Sequence, residues 1–87
     1  MSVFMVERDL NGITMDRLAA AQQAAIQQGR QMSAEGTPIR YIRSTFAPAD
    51  GRCFCLFEGG SAADVRKLND DANIPYSRVV EALDLTP

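Results

Sequence analysis

The sequence contains no histidine, and cysteine appears only twice among its 87 residues. Histidine is the commonest metal ligand and the commonest general base in proteins. Its absence excludes Ser-His and Cys-His catalytic pairs and removes the usual nitrogen ligand of a metal site. Acid/base or metal chemistry in this chain would therefore depend on carboxylates and thiols.

The chain also lacks an excess of basic residues and any long apolar run. Nine Lys and Arg stand against eleven Asp and Glu, which gives a net charge of -2. Nucleic-acid binding normally requires a basic face, and a bilayer-spanning helix needs about 20 apolar residues. The N-terminus has no basic segment before its apolar residues, so it resembles a strand more than a signal peptide. We expect a cytoplasmic protein with neither a nucleic-acid nor a membrane partner.

What the chain does have is enough apolar content for one core. Hydrophobic residues make up 46% of it, and the length predicts a single domain covering residues 1–87. A core of this size gives limited stability, so self-association that buried a further surface would stabilise the fold.

Turn and cap residues divide the chain into six elements. Asp50-Gly51 is the strongest hairpin signal, Thr14 and Ser61 are suitable helix N-caps, and Pro75 ends the second helix. Gly29 is a possible end of the first helix. The predicted elements are a strand at Val3–Arg8, a helix at Met15–Met32, strands at Ile39–Phe46 and Arg52–Glu58, a helix at Ala62–Asn73 and a strand at Arg78–Leu85.

This β-α-β-β-α-β order predicts an α+β fold. Short connections and right-handed crossovers favour a four-stranded antiparallel sheet with two helices on one face, and with strands one and three at its centre. The other sheet face then has no cover within one chain. An uncovered apolar face favours a homodimer formed through the open side of the sheet.

The Asp50-Gly51 turn also predicts which strand residues share a face. It places Ser44 opposite Cys55 and Phe46 opposite Cys53, although a slip of one residue would exchange the faces. The predicted helix-facing set is Phe4, Val6, Ile42, Ser44, Phe46, Cys53, Cys55 and Phe57. The predicted open-face set is Val3, Met5, Glu7, Tyr41, Arg43, Thr45, Phe54, Leu56 and Glu58.

The two cysteines are predicted to be core residues. Cys53 and Cys55 lie two apart on one strand, about 6.5–7 Å along the chain, which is a poor geometry for a mutual disulfide. Two thiols make only half of a zinc site, and no second pair exists. We expect buried free thiols, no metal site and no cofactor.

The most suggestive polar cluster lies on the predicted open face. Glu7, Tyr41, Arg43 and Glu58 combine two carboxylates with a guanidinium on a partly buried surface. Such groups could act as acid and base, or bind a small anion or a metal. The alternative is a salt-bridged network that lines a dimer interface, because buried charges are usually paired.

Several segments together resemble a known family. The chain is similar to the small bacterial nickel-responsive family, also described as a domain of unknown function. The segments that carry this resemblance are Phe4-Met5-Val6-Glu7-Arg8, Ile39-Arg40-Tyr41-Ile42-Arg43-Ser44, Asp50-Gly51-Arg52-Cys53-Phe54-Cys55-Leu56-Phe57-Glu58 and Asn73-Ile74-Pro75-Tyr76-Ser77-Arg78-Val79. The resemblance implies a ferredoxin-like fold and a dimeric α+β barrel.

Nickel binding transfers poorly to these residues. Members of the family often carry an aromatic residue and, two places later, a histidine on the second strand. The matching residues here are Tyr41 and Arg43, and a guanidinium attracts anions and does not bind metals. The family positions that match are Glu7, Ser44, Cys55 and Glu58.

These observations lead to a binding module as the main hypothesis. In it, a dimeric barrel holds a small polar or anionic ligand with Glu7, Tyr41, Arg43 and Glu58. One alternative is a nickel-binding or other metal-binding protein that has lost its histidine ligand. Another is a small isomerase or monooxygenase-like enzyme on the same barrel, by fold-level analogy alone.

Overall fold

The strands and helices follow the predicted β-α-β-β-α-β order. The computed structural model describes all 87 residues, with a sheet of strand order β2-β3-β1-β4. All strand pairs are antiparallel, so the central positions of the first and third strands are confirmed. The elements are β1 (Ser2–Asp9), α1 (Met15–Ala34), β2 (Ile39–Ala47), β3 (Arg52–Gly59), α2 (Ala62–Asp71) and β4 (Arg78–Ala82).

Both helices begin at the predicted caps. The Thr14 hydroxyl accepts a hydrogen bond from the Arg17 N–H, and the Ser61 hydroxyl accepts one from the Asp64 N–H at 3.1 Å. These bonds satisfy N–H groups that a helix start leaves without a partner. Neither helix is long and apolar enough to cross a membrane.

The helix predicted over Met15–Met32 continues to Ala34, so the alternative end at Gly29 is not observed. Gly29 is buried where α1 crosses β2 and α2. A Cβ atom there would lie 3.6 Å from both the Ile39 carbonyl oxygen and Leu68 Cδ1. The glycine therefore lets three elements approach closely, which outweighs its low helix propensity.

The hydrophobic core lies between the helices and one face of the sheet. Val6 and Phe57 from the central strands, together with Val65 and Leu68 from α2, have no exposed surface. Cys53 and Cys55 are buried free thiols in the same core, as predicted.

The predicted register between β2 and β3 is confirmed in one half of the hairpin. Ser44 pairs with Cys55 and Phe46 with Cys53, but the pairing shifts between Tyr41 and Arg43. Ile42 is the extra residue of this β-bulge, so every residue before it lies on the face opposite to that expected from simple alternation.

The predicted position of Tyr41 on the open face was therefore wrong. Tyr41 pairs with Phe57, and the two rings meet edge to face at 5.6 Å on the helix side. Arg40 takes the corresponding open-face position, opposite Glu58.

No helix covers the open face of the sheet. Its apolar residues are only partly buried; they are Val3, Met5, Phe54, Leu56 and Val80. After β4, the tail turns back to this face, because Asp84 forms an ion pair with Arg43 of β2, at the opposite edge of the sheet. Leu83 and Leu85 of the tail are each 81% exposed.

Candidate functional site

Glu7 is the most buried charged group on the open face. It lies on β1, and only 11% of its side chain is exposed. Its carboxylate accepts a hydrogen bond from Arg78 Nε on one neighbouring strand and lies 3.9 Å from Arg52 Nη2 on the other. Two guanidinium groups thus compensate one carboxylate, as a partly buried charge requires.

The other predicted open-face residues belong to separate ion pairs. Glu58 accepts from Arg40 Nε at 3.0 Å, and Arg43 pairs with Asp84 of the tail. No hydrogen bond or ion pair joins Glu7, Arg43 and Glu58 to one another. The predicted cluster is therefore a set of neighbouring pairs spread along the face.

In these pairs the positive charge lies outermost. The guanidinium side chains are 49–62% exposed, whereas the carboxylate side chains are 11–33% exposed. These pairs contain four arginines and three carboxylates, and Asp9, which lies opposite Arg52 on the same face, is a fourth carboxylate, so the charges of the face balance. The arginines are Arg40, Arg43, Arg52 and Arg78, and the paired carboxylates are Glu7, Glu58 and Asp84.

Among these paired groups, only Arg40 borders a cleft of a single chain, and that cleft lies toward α1. None of the cavities and clefts of the chain is lined by Glu7, Arg43 or Glu58. A ligand on this face would be enclosed only if a second surface covered it.

A second polar cluster, which the sequence analysis missed, lies on the helix side around Arg8. This arginine is 2% exposed. It donates from Nη2 to Asn69 Oδ1 at 2.6 Å, from Nη1 to the Pro75 carbonyl at 3.2 Å and from Nε to Cys55 Sγ at 3.3 Å. Asn69 is fully buried and donates to the Val65 carbonyl at 2.8 Å.

A chain of hydrogen bonds leads from α1 to the same sulfur atom. Gln22 Nε2 donates to the Tyr41 hydroxyl at 2.8 Å. The Tyr41 hydroxyl lies 2.6 Å from Ser44 Oγ, and Ser44 Oγ donates to Cys55 Sγ at 3.0 Å. Because the Ser44 proton points to sulfur, the Tyr41 hydroxyl donates to Ser44. Every bond of this chain is therefore directed toward Cys55.

Cys53 completes the surroundings of that sulfur. Its Sγ atom lies 3.8 Å from Cys55 Sγ, and its side chain has no exposed surface. Burial, followed by the neighbouring Cys55, raises the pKa of the Cys53 thiol to about 12. Cys53 is thus a neutral thiol, able to direct its weak S–H donor at Cys55.

A small cavity opens beside the two thiols. It has a free volume of about 10 Å³, enough for one water-sized molecule, and its wall includes Arg8, Tyr41, Ser44, Cys53 and Cys55. A surface cleft of about 510 Å³, between the loop after β1, α1 and the loop before β4, shares the wall residues Leu10, Ala21 and Ile74 with this cavity.

A signal for this cluster was present in the sequence. Phe4 and Val6 were predicted to face the helices, and the same alternation places Arg8 beside them. A charged residue at a core-facing strand position is uncommon, so Arg8 in this alternation indicates a buried polar network. Asn69 had no comparable signal, since a polar residue on a helix is usually exposed.

Comparisons with known proteins agree with the fold. Residues 4–82 match the family model described as "Nickel responsive protein SCO4226-like". The crystal structure of SCO4226 from Streptomyces coelicolor A3(2) is similar to this chain, with a TM-score of 0.81 and 26% sequence identity. The match covers 99% of this chain and 100% of that chain. No curated protein matches this sequence.

Proposed function

Because the chain belongs to the SCO4226-like nickel-responsive family, with a ferredoxin-like fold that leaves one sheet face uncovered, we propose that it is a homodimeric binding protein. In this proposal, the open faces of two copies hold a small anion between them. The observation that carries it is the outer layer of arginine side chains above more deeply buried carboxylates.

The dimer part of the proposal rests on the apolar centre of the open face. Met5, Phe54 and Leu56 lie there, partly buried, and the exposed Leu83 and Leu85 follow β4. A standard interface buries about 800 Å² per partner, roughly 15% of the 5306 Å² surface of this chain. One face of a four-stranded sheet with an apolar centre and charged margins suits such an interface.

The ligand part rests on the charge distribution. Arg43 is 56% exposed and its partner Asp84 belongs to the tail after β4, so an incoming anion would compete with a carboxylate that lies outside the strands and helices. A guanidinium binds carboxylate or phosphate oxygens through two parallel hydrogen bonds. Glu7 and Glu58 would position arginines in such a site and would not contact the anion directly.

The residues of a single chain do not fit a nickel site, although the family description names nickel. The chain has no histidine, and it contains no group of three His, Cys, Asp or Glu side chains that could hold a metal ion. Nickel is therefore not part of the proposed function, and we expect a flat calorimetric titration with Ni²⁺ at neutral pH.

Two measurements test the two parts separately. Sedimentation equilibrium should give a dimer, and calorimetric titration with inorganic phosphate and with small dicarboxylates should detect binding by at least one of these anions. Arg43→Gln should weaken that binding about tenfold, the effect of losing a charged hydrogen bond. Arg30→Gln is the matched control, since Arg30 is exposed on α1 and forms no ion pair.

Each part fails on a distinct result. A monomer at every concentration would overturn the dimer. Equal anion affinities for the Arg43→Gln and Arg30→Gln variants, or no binding of any of these anions to a dimeric protein, would overturn the ligand site.

A further inference from the structure

Three hydrogen-bond donors converge on the sulfur atom of Cys55. They are Arg8 Nε at 3.3 Å, Ser44 Oγ at 3.0 Å and the Cys53 thiol at 3.8 Å. The sulfur of a neutral thiol is only a weak acceptor. Donors arranged in this way stabilise negative charge on the sulfur, as they do at reactive cysteines beside basic groups.

The charge of Arg8 supports the same assignment. A guanidinium that is 2% exposed normally has a carboxylate partner, but Arg8 takes part in no ion pair. Its other acceptors, Asn69 Oδ1 and the Pro75 carbonyl, are uncharged. Cys55 Sγ is the one atom it contacts that can carry a compensating negative charge.

We propose that Cys55 is a nucleophilic thiolate that reacts with hydrogen peroxide in the cavity between the sheet and the helices. The site lies on the face of the sheet opposite the proposed anion site, so each proposal can be tested without the other.

The size and position of the cavity select the reagent. Its free volume of about 10 Å³ matches one water molecule, so hydrogen peroxide, which is only slightly larger, needs the least side-chain movement to enter, and bulky electrophiles are excluded. The neighbouring cleft of about 510 Å³ supplies a route from solvent, closed at its inner end by Leu10, Ala21 and Ile74. Entry of peroxide therefore requires these side chains to move.

The reaction is a two-electron transfer to peroxide. The Cys55 thiolate sulfur donates an electron pair to one peroxide oxygen, forming the S–O bond of a sulfenic acid while the O–O bond breaks. The attacked oxygen keeps its proton as the hydroxyl of the sulfenic acid, and the departing oxygen leaves as hydroxide, which carries the negative charge of the thiolate out to solvent. Sulfur is oxidised by two electrons and the peroxide is reduced by two.

Cys53 serves as a donor in this site and not as the reacting sulfur. Its raised pKa, about 12, keeps it protonated. Its position two residues from Cys55 on one strand is also unfavourable for a disulfide. The sulfenic acid of Cys55 is therefore the expected product.

The test exposes the intact protein to limiting hydrogen peroxide, then unfolds it in urea that contains dimedone, so that the trap reaches the buried sulfur, and locates the sulfenic acid adduct by peptide mass spectrometry. Cys55 should carry it, and should be oxidised about tenfold faster than Met15, even though Cys55 is 5% exposed and Met15 is 59% exposed. Cys53→Ser should retain the adduct and Cys55→Ser should lose it.

Two substitutions probe the donors. Arg8→Lys should slow the oxidation about tenfold, because it removes a charge-assisted hydrogen bond. Ser44→Ala, which disturbs the fold less, should slow it several-fold, while Thr45→Ala on the open face should leave the rate unchanged.

The proposal is overturned if Cys55 gains no adduct, if Cys53 reacts as fast as Cys55, or if Ser44→Ala and Thr45→Ala react at the same rate. Circular dichroism and thermal melts of each variant separate a change in reactivity from a loss of folding.

Discussion

At the scale of single residues, the interior of this protein contains a charged group, the guanidinium of Arg8, with hydrogen-bond partners on several elements. Arg8 and Asn69 are buried polar groups in a small core, and every buried side-chain nitrogen and oxygen has a hydrogen-bond partner. Such a network specifies one packing arrangement when it is complete, and destabilises the fold strongly when one member is removed.

Asn69→Ala should therefore be costly. It would remove the acceptor of Arg8 Nη2 and leave a buried guanidinium N–H without a partner. We expect a loss of about 2–3 kcal/mol in the free energy of unfolding, measured by urea denaturation. Asn11→Ala is the matched control: its exposed side chain makes no hydrogen bond, so its effect should stay within about 0.5 kcal/mol. Similar losses in both variants would contradict this account.

The Cys53 thiol predicts a pH dependence of stability. Its pKa is raised from an ordinary value of 9.0 to about 12 in the folded protein, so between these values the unfolded chain binds fewer protons than the folded one. The resulting stability is complete below pH about 9 and falls as the pH rises toward 12.

The measurement is urea denaturation of the natural protein and of Cys53→Ala from pH about 7 to about 10. The stability difference between them should shrink by about 1 kcal/mol over this range. A difference that stays constant with pH would show that Cys53 ionises at the same pH in the folded and unfolded states.

At the scale of elements, the β2–β3 turn is built onto the loop after β1. The Leu10 N–H donates to the Gly51 carbonyl at 2.7 Å, and Gly51 has a φ of +70°. A Cβ atom at this glycine would lie 2.6 Å from Asn11 Cα. This position therefore requires glycine for two separate reasons, backbone conformation and close approach.

A pair of substitutions separates these reasons. Gly36 also has a positive φ, +102°, but a Cβ atom there meets nothing within 4 Å. Gly36→Ala should cost about 1 kcal/mol from backbone strain alone, and Gly51→Ala should cost about 2 kcal/mol more because of the clash. Thermal or urea denaturation would measure both, and equal costs would exclude the clash as a cause.

The element scale also shows how far the sequence predicts this structure. Turn signals such as Asp50-Gly51 and caps such as Ser61 are local, so element order and the paired half of the β2–β3 hairpin were predictable. The bulge at Ile42 was not, because Ile39–Phe46 has apolar residues compatible with either alternation. What decides it is the contact between Tyr41 and Phe57, which exists only in the assembled sheet.

The candidate site shows the same division. Charged residues on the open face were correctly placed for Glu7, Arg43 and Glu58, since period-two alternation carries that information. The partners of Glu7 and Arg43, which are Arg78 and Asp84 respectively, come from the end of the chain. Such pairings over long sequence separations depend on the strand order and the path of the tail, which local patterns do not encode.

At the scale of the whole molecule, the proposed dimer predicts that a new charge on the open face of the sheet prevents association, whereas a new charge on the helix side does not. Met5→Lys places a charge at the centre of the open face and should shift sedimentation equilibrium to monomer, because a buried interface does not tolerate an unpaired ammonium group. Met15→Lys, on an α1 residue that is 59% exposed, should leave the dimer intact. If both variants remain dimeric, the copies associate through another surface.

The bulge in β2 has a consequence for insertions and deletions. Ile42 has no partner in the pairing of β2 with β3, since Tyr41 and Arg43 pair with the successive residues Phe57 and Leu56. A chain shortened by this one residue would keep every cross-strand neighbour and every side chain on its present face. Loss of a paired strand residue would instead move the side chains of half of that strand to the opposite face of the sheet. In the β2–β3 hairpin, a change of chain length is therefore easiest to accommodate at Ile42.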